Sequence, residues 1–268
     1  MTGLIVVHRE PPPDHLAAAR LKVEHADNEL RQLRSAFQAW VKLGAYDTVP
    51  EIDPKTLQKV LRFRVLSDPP AHWGIVIGVI AHDLRSALNC VVHALAKPDS
   101  DGLSFPIYRR KADYVTPRGK KRISARDEYL AGVAERPFRE IIDSYQPYQR
   151  GKAADTDLLA LLSFLADADK HGGAMVGLAS PSTQRIIVTP LGPYEYLDTI
   201  FFAPNQRLYD GIELARVTIR PPDRQVAFEG RTGVDIAFGE RRITPRQIGD
   251  IERHVIEIIE RLNAALVS

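Results

Sequence analysis

Between Ala71 and Ala96 the chain reads AHWGIVIGVIAHDLRSALNCVVHALA, and its polar residues recur at helical spacing. At about 100° per residue, His82, Arg85, Ser86, Asn89 and His93 fall on one face of a helix. Leu84, Ala87, Leu88, Val91 and Leu95 take the other side. Two imidazoles, a guanidinium, a hydroxyl and an amide can hold an anion or move a proton, which the Lys and Glu of a solvated face seldom do. On so apolar a helix the stripe has three readings. It is an inward polar network that must find partners, a row open to water, or a binding or catalytic site. Asp169 offers a carboxylate, because it falls inside the apolar arc of Leu158, Leu161, Leu162, Leu165 and Ala168. Paired with Arg85 or a histidine, it would hold two helices in register without any substrate.

A second group lies just downstream. From Ser104 to Arg126 the chain carries Arg109, Arg110, Lys111, Arg118, Lys120, Lys121, Arg122 and Arg126 against the single acid Asp113, with Tyr108 and Tyr114 interleaved. Such a segment suits phosphate groups. It is equally the composition of a solvated loop.

Bulk properties narrow the classes. The 268 residues suffice for one large domain or two modest ones. A net charge of +2 gives no general case for nucleic acid or acidic membranes. The single cysteine, Cys90, excludes an internal disulfide and a cysteine-built zinc site. Set among Leu88, Val91 and Val92, it reads as a small buried hydrophobe with no base beside it. The longest strictly apolar run, Trp73 to Ala81, is nine residues, short of the roughly 18 that span a bilayer. MTGLIVVHREPPPDH lacks the features of a secretory signal, so a cytoplasmic protein with no membrane association is expected. Neither a phosphate-binding glycine loop nor a serine nucleophile elbow occurs, and no cofactor or metal is expected.

The elements that position these groups follow from periodicity. Asp14 caps a helix to about Leu43 whose Leu16, Ala19, Val23, Ala26, Leu30, Leu33, Phe37 and Trp40 alternate three and four apart. This seam packs within the chain or makes a homodimer. Leu57 to Leu66 reads as a strand, and Pro69-Pro70 open the central helix, which Lys97-Pro98 end. Helices are expected over 127–145 and 155–170. Strands are expected over 185–191, 196–202, 212–219, 225–229 and 234–238, joined as an antiparallel meander. Thr244 caps a last helix to about residue 266, whose Ile248, Ile251, Val255, Ile258, Leu262 and Ala265 match the seam of the first. The expectation is one α+β unit: a bundle of about five helices over 1–172, with basic loop 104–126, a sheet over 173–240, and the helix of 241–268 returning to the bundle.

His82 to Ala96, Gln146-Pro147-Tyr148 and Ala168-Asp169-Lys170-His171 resemble a widespread set of uncharacterised bacterial proteins. In those, the central helix tends to read His-Asn-Leu-Arg-Ser-Ala-Leu-Asp-His and a helix ends in Asn-x-Asp-Lys-His. This resemblance covers roughly residues 70–172 and implies no activity. More loosely, the helical half resembles HEPN-type domains, bundles that are often dimeric and include many ribonucleases. Their signature is an arginine, four to six residues, then a histidine. Arg85 would be that arginine, but after four residues comes Cys90, and His93 follows only after seven. Arg85 and His93 differ by about 80° and lie about 12 Å apart along a helix axis, too far for one compact pair. His82-Asp83 also resembles the metal-binding dipeptide of the His-Asp phosphohydrolases, which would need His72 or His25 and Asp169 to complete it.

Three functions are therefore expected, in this order. The first is a non-catalytic binding or interaction protein using the His82, Arg85, Ser86, Asn89, His93 and Asp169 network. The second is a HEPN-like ribonuclease or RNA-binding protein using His82, Arg85 or His93, with the basic segment on phosphates. The third is a metal-dependent phosphohydrolase.

Overall fold

A computed structural model of the chain describes residues 16–117, 122–133, 136–170, 175–179, 186–201, 207–229 and 233–267. Helix α1 (Ala17–Lys42) leads to strands β1 (Tyr46–Ile52) and β2 (Lys59–Val65), then to the central helix α2 (His72–Leu95). Short helices α3 (Lys111–Val115), α4 (Ala125–Tyr129) and α5 (Arg136–Ser144) follow. Tight 3-10 turns over Pro147–Thr156 enter α6 (Leu158–Lys170). The strands β3 (Val176–Ala179), β4 (Ile187–Leu191), β5 (Tyr196–Phe201), β6 (Arg207–Leu208), β7 (Glu213–Arg220), β8 (Gln225–Glu229) and β9 (Asp235–Phe238) precede the last helix, α7 (Pro245–Val267). The class is α+β with antiparallel sheets, as expected.

Packing divides the chain, expected as one unit, into two compact units. Unit 1 takes Asp83–Ala160 with the first turns of α1 and the turns of α7 from Arg253; unit 2 takes Ala26–His82 and Leu161–Glu252. The heptad seam of α1 is buried within the chain from Leu16 to Leu33, and Trp40 is 8% exposed. By length and composition α2 could cross a membrane, with half of that apolar window buried inside the protein.

In unit 1, α7 packs against α1 and α5. Arg20 meets Glu260 at 3.2 Å, and the Tyr145 hydroxyl donates to Glu257 at 3.0 Å. The single helix expected over 127–145 is instead two. Buried Ser124 caps α4, its Oγ accepting from the Asp127 N–H at 3.1 Å. The chain then turns through Gly132, whose carbonyl accepts from Lys97 N–H just past the end of α2. A Cβ on Gly132 would fall on the Ser100 side chain and 2.8 Å from the Ala96 Cβ. Arg139 of α5 ties this turn down by donating to the Leu130 and Val133 carbonyls, both at 2.6 Å. Helical periodicity in 127–145 was real at each end, but the contact of residue 132 with Ala96 and Ser100 is not a periodic signal.

In unit 2, α7 lies against α1, where the Arg34 guanidinium donates to the Pro245 carbonyl at 2.8 Å. A four-stranded sheet has the order β1-β2-β7-β5, with β6-β3-β9 and β4-β8 as smaller sheets. The expected meander is not what forms. β3 pairs with β9, β4 with β8 and β5 with β7, so the strands nest as concentric pairs, and β2 joins from the N-terminal half. β7, whose Leu214, Ala215, Val217 and Ile219 are all buried, is an inner strand, flanked by β2 and β5. Alternation shows which face of a strand is wet, not which strand lies beside it. β1 was not expected, because Pro50 interrupts it; as an edge strand it tolerates a residue without an N–H.

One polar face of this sheet is an ion-pair ladder. Arg62 bridges Glu51 and Glu213, both at 3.0 Å, and Arg216 bridges Asp53 and Glu213 at 2.9 and 2.6 Å. Hydrogen bonds from Arg216 and from the Lys55 N–H hold the Asp53 carboxyl well below the usual carboxylate range.

The Gly132 contact is directly testable. Gly132→Ala inserts a methyl group where Ala96 and Ser100 already sit, and is expected to lower stability by about 1–3 kcal/mol in thermal or urea unfolding. An unchanged melting temperature would show that this turn is not tightly packed.

Candidate functional site

Two amide side chains in unit 1 grip one short strap of backbone. Asn89 projects from α2, and its Oδ1 accepts from both Ser104 Oγ and the Phe105 N–H, each at 3.0 Å. Gln146, 1% exposed at the end of α5, accepts from the Tyr108 N–H at 3.0 Å and donates to the Pro106 carbonyl at 2.8 Å and the Ile142 carbonyl at 3.2 Å. Tyr108 returns the contact, its carbonyl accepting from Tyr148 N–H at 3.1 Å. The strap Ser104–Tyr108 thus has its backbone groups taken by side chains, which lets an irregular segment be buried at Phe105 and Pro106 without orphaned N–H groups.

The polar stripe of α2 is divided by this arrangement. Arg85 is half-buried and donates to Ser104 Oγ at 3.4 Å, so Arg85, Ser104 and Asn89 form one chain of hydrogen bonds. Ser86 is half-buried. His82 and His93 are exposed, and neither imidazole has a hydrogen bond or ion pair to another described residue. The side chain of Asp169 lies outside the described residues, so the expected Arg85–Asp169 pair is not drawn. Cys90 is half-buried rather than buried. Asp83 is engaged elsewhere: its carboxylate contacts His25 Nδ1 at 2.7 Å and Lys22 Nζ at 3.9 Å, an α1–α2 tie within unit 1. Among the described residues no group of three or more His, Cys, Asp or Glu converges as metal ligands would.

Beneath the basic segment lies a tyrosine cluster. Tyr108 stacks on Tyr114 with ring centres 5.4 Å apart, and Tyr148 lies 5.9 Å from Tyr114. The fully buried Tyr114 donates its hydroxyl to Asp143 at 2.7 Å, and Arg126 chelates the same carboxylate, its Nε at 3.1 Å. Burial, reinforced by the bond to Asp143, pushes the Tyr114 phenol well above its ordinary pKa. Segment 104–126 is therefore not the uniform loop expected. It contains α3, and Arg126 is structural. Arg118, Lys120 and Lys121 lie outside the described residues. Arg122 and Lys111 are exposed.

Arg109 and Arg110 emerge from the strap into a cleft of about 580 Å³ that they share with Ile107, Tyr108, Asp113, Gly151, Lys152, Ala154 and Asp155. Asp155 takes one guanidinium nitrogen of Arg109 at 2.8 Å, and Asp113 takes Nε of Arg110 at 2.8 Å. Gly151 bends the opposite wall with φ of 57°, a conformation that glycine adopts without strain. Residues Gln146 and Lys152 carried no chemical signal by themselves. The Gln146-Pro147-Tyr148 segment was visible as a motif, but only the strap explains its amide.

No protein-family model, no curated protein and no solved structure matches this chain.

Two outcomes follow from the strap and its tyrosines. Gln146→Ala removes three hydrogen bonds and leaves the Tyr108 N–H and Pro106 carbonyl unpartnered, so a loss of about 2–4 kcal/mol is expected by urea unfolding; a loss below 0.5 kcal/mol, roughly the floor for one hydrogen bond, would contradict the clamp. For Tyr114, the folded pKa lies above the unfolded one. Its stabilising contribution is therefore complete below about pH 10 and declines by up to about 1.4 kcal/mol per pH unit as pH rises further. Melting curves between pH 9 and 12 are expected to fall more steeply for the native chain than for Tyr114→Phe. Parallel curves would place the phenol in water.

Proposed function

We propose that this chain is a non-catalytic binding protein, in which the central helix carries structure and the cleft beside it carries recognition. The observation that supports this is the use of Asn89 and Arg85: both are spent on Ser104 and the strap, and no described histidine joins them. A general acid or base must lie within hydrogen-bond reach of the group it serves. His82 and His93 are exposed, and among the described residues neither has a partner that would orient its ring.

A HEPN-like RNA-binding role is the second reading, favoured by one observation. Arg109, Arg110 and Lys152 line a single concave surface, with Lys111 next to Arg110 in sequence, and a phosphate backbone is held by such cations. On that reading RNA would lie on the cleft rather than on a catalytic pair in α2.

Purified full-length chain incubated with single-stranded RNAs of mixed sequence is expected to leave them intact. Arg85→Ala is expected to lower the melting temperature by several degrees, because Arg85 is part of the Ser104 chain of bonds. Cleavage that Arg85→Ala abolishes while leaving the melting temperature unchanged would overturn the non-catalytic reading.

A further inference from the structure

The cleft of unit 1 has a charge arrangement that its internal ion pairs do not exhaust. Its lining carries three cations, Arg109, Arg110 and Lys152, against two acids, Asp113 and Asp155. Each arginine gives one nitrogen to an acid: Arg109 Nη1 donates to Asp155 and Arg110 Nε to Asp113. A guanidinium presents five N–H donors in a planar fork, so most of the donors on each arginine remain for an oxyanion. Lys152 has no hydrogen bond or ion pair among the described residues and is exposed at the rim.

The rim is also held in place before any ligand arrives. Tyr108 immediately precedes Arg109; its N–H is bound by Gln146, its carbonyl by Tyr148, and its ring by Tyr114. The carboxylates hold the guanidinium groups in turn. What is fixed is the backbone that leads into Arg109, while the cationic side chains stay exposed to solvent and each arginine is steadied by one carboxylate. The cleft's volume, about 580 Å³, lies in the range of small-molecule sites and exceeds what one tetrahedral anion fills. Ile107 and Ala154 add apolar wall for the remainder of a ligand.

We propose that this cleft binds a phosphate group, with Arg109, Arg110 and Lys152 as its ligands and a small organic moiety in the remaining space. The proposal rests on the binding-protein reading and names the ligand chemistry of that same surface. A phosphomonoester dianion fits better than a carboxylate. It offers three oxygens to three cations approaching from two walls, whereas a carboxylate saturates one fork. The phosphate has two sources of identical chemistry, free inorganic phosphate and a phosphorylated small molecule, and the cleft's spare volume favours the second.

Isothermal titration of the full chain with AMP, inorganic phosphate and acetate at low salt tests this. Saturable AMP binding is expected, weaker phosphate binding, and none with acetate. Lys152→Ala and Arg110→Ala, both at exposed positions, are each expected to weaken AMP about tenfold or more without moving the melting temperature. Phosphate binding as tightly as AMP also supports the site, with the free anion as its ligand. The proposal is overturned if neither phosphate compound binds, or if both variants bind as the native chain does. Binding of single-stranded RNA at the cleft with no AMP binding overturns it as well, while leaving the non-catalytic reading intact. RNA cleavage would strike that reading instead.

Discussion

Gln146 is the side chain on which the strap of unit 1 depends. It is buried, it satisfies a donor and an acceptor of the strap and a carbonyl of α5, and it does so at the junction of α5 with the 3-10 turns. Amides suit this task because one group both donates and accepts, so a single side chain can replace a missing strand partner. With Asn89 holding the other end, the strap crosses the core without becoming a helix or a strand. One wall of the cleft continues from it: Tyr108 on Tyr114, then Arg109 and Arg110 at the rim.

Unit 2 meets the same physical demand by another route. Its polar groups are arginines and carboxylates on a sheet face, each arginine shared by two acids. Shared pairs on neighbouring strands tie β1, β2 and β7 together across the ladder, a network rather than a set of isolated surface bridges. These arginines are committed to one another's partners. Among the described residues, those of the cleft each meet a single carboxylate, so a similar residue pair is shared in one unit and singly paired in the other.

Much of the scaffold was readable from spacing. The seams of α1 and α7, the prolines bounding α2, the Thr244 start of α7 and the alternation of β7 to β9 follow from local rules, because burial on one face of a regular element leaves a periodic mark. The split of 127–145 into two helices left no such mark, since it depends on Gly132 meeting Ala96 and Ser100 some thirty residues away in the chain. The nested strand pairing was hidden for the same reason. Within the candidate site, Asn89 and Arg85 stood out as polar residues on an apolar helix, and Arg109 and Arg110 as part of a basic run. Gln146, Ser104 and Lys152 did not, being ordinary polar residues in ordinary loops.

The sequence by itself determined an α+β chain with long amphipathic helices, a polar row on the central one, and a concentration of positive charge after it. Those properties are set by residue type and local period. Only the tertiary structure decided what the polar row is for. Whether a buried amide or guanidinium serves a ligand or the fold depends on which backbone groups would otherwise lack a partner, and that is a property of contacts between distant segments. Here Asn89 and Arg85 hydrogen-bond the strap, His82 and His93 are exposed, and Arg109 and Arg110 follow the strap into the cleft.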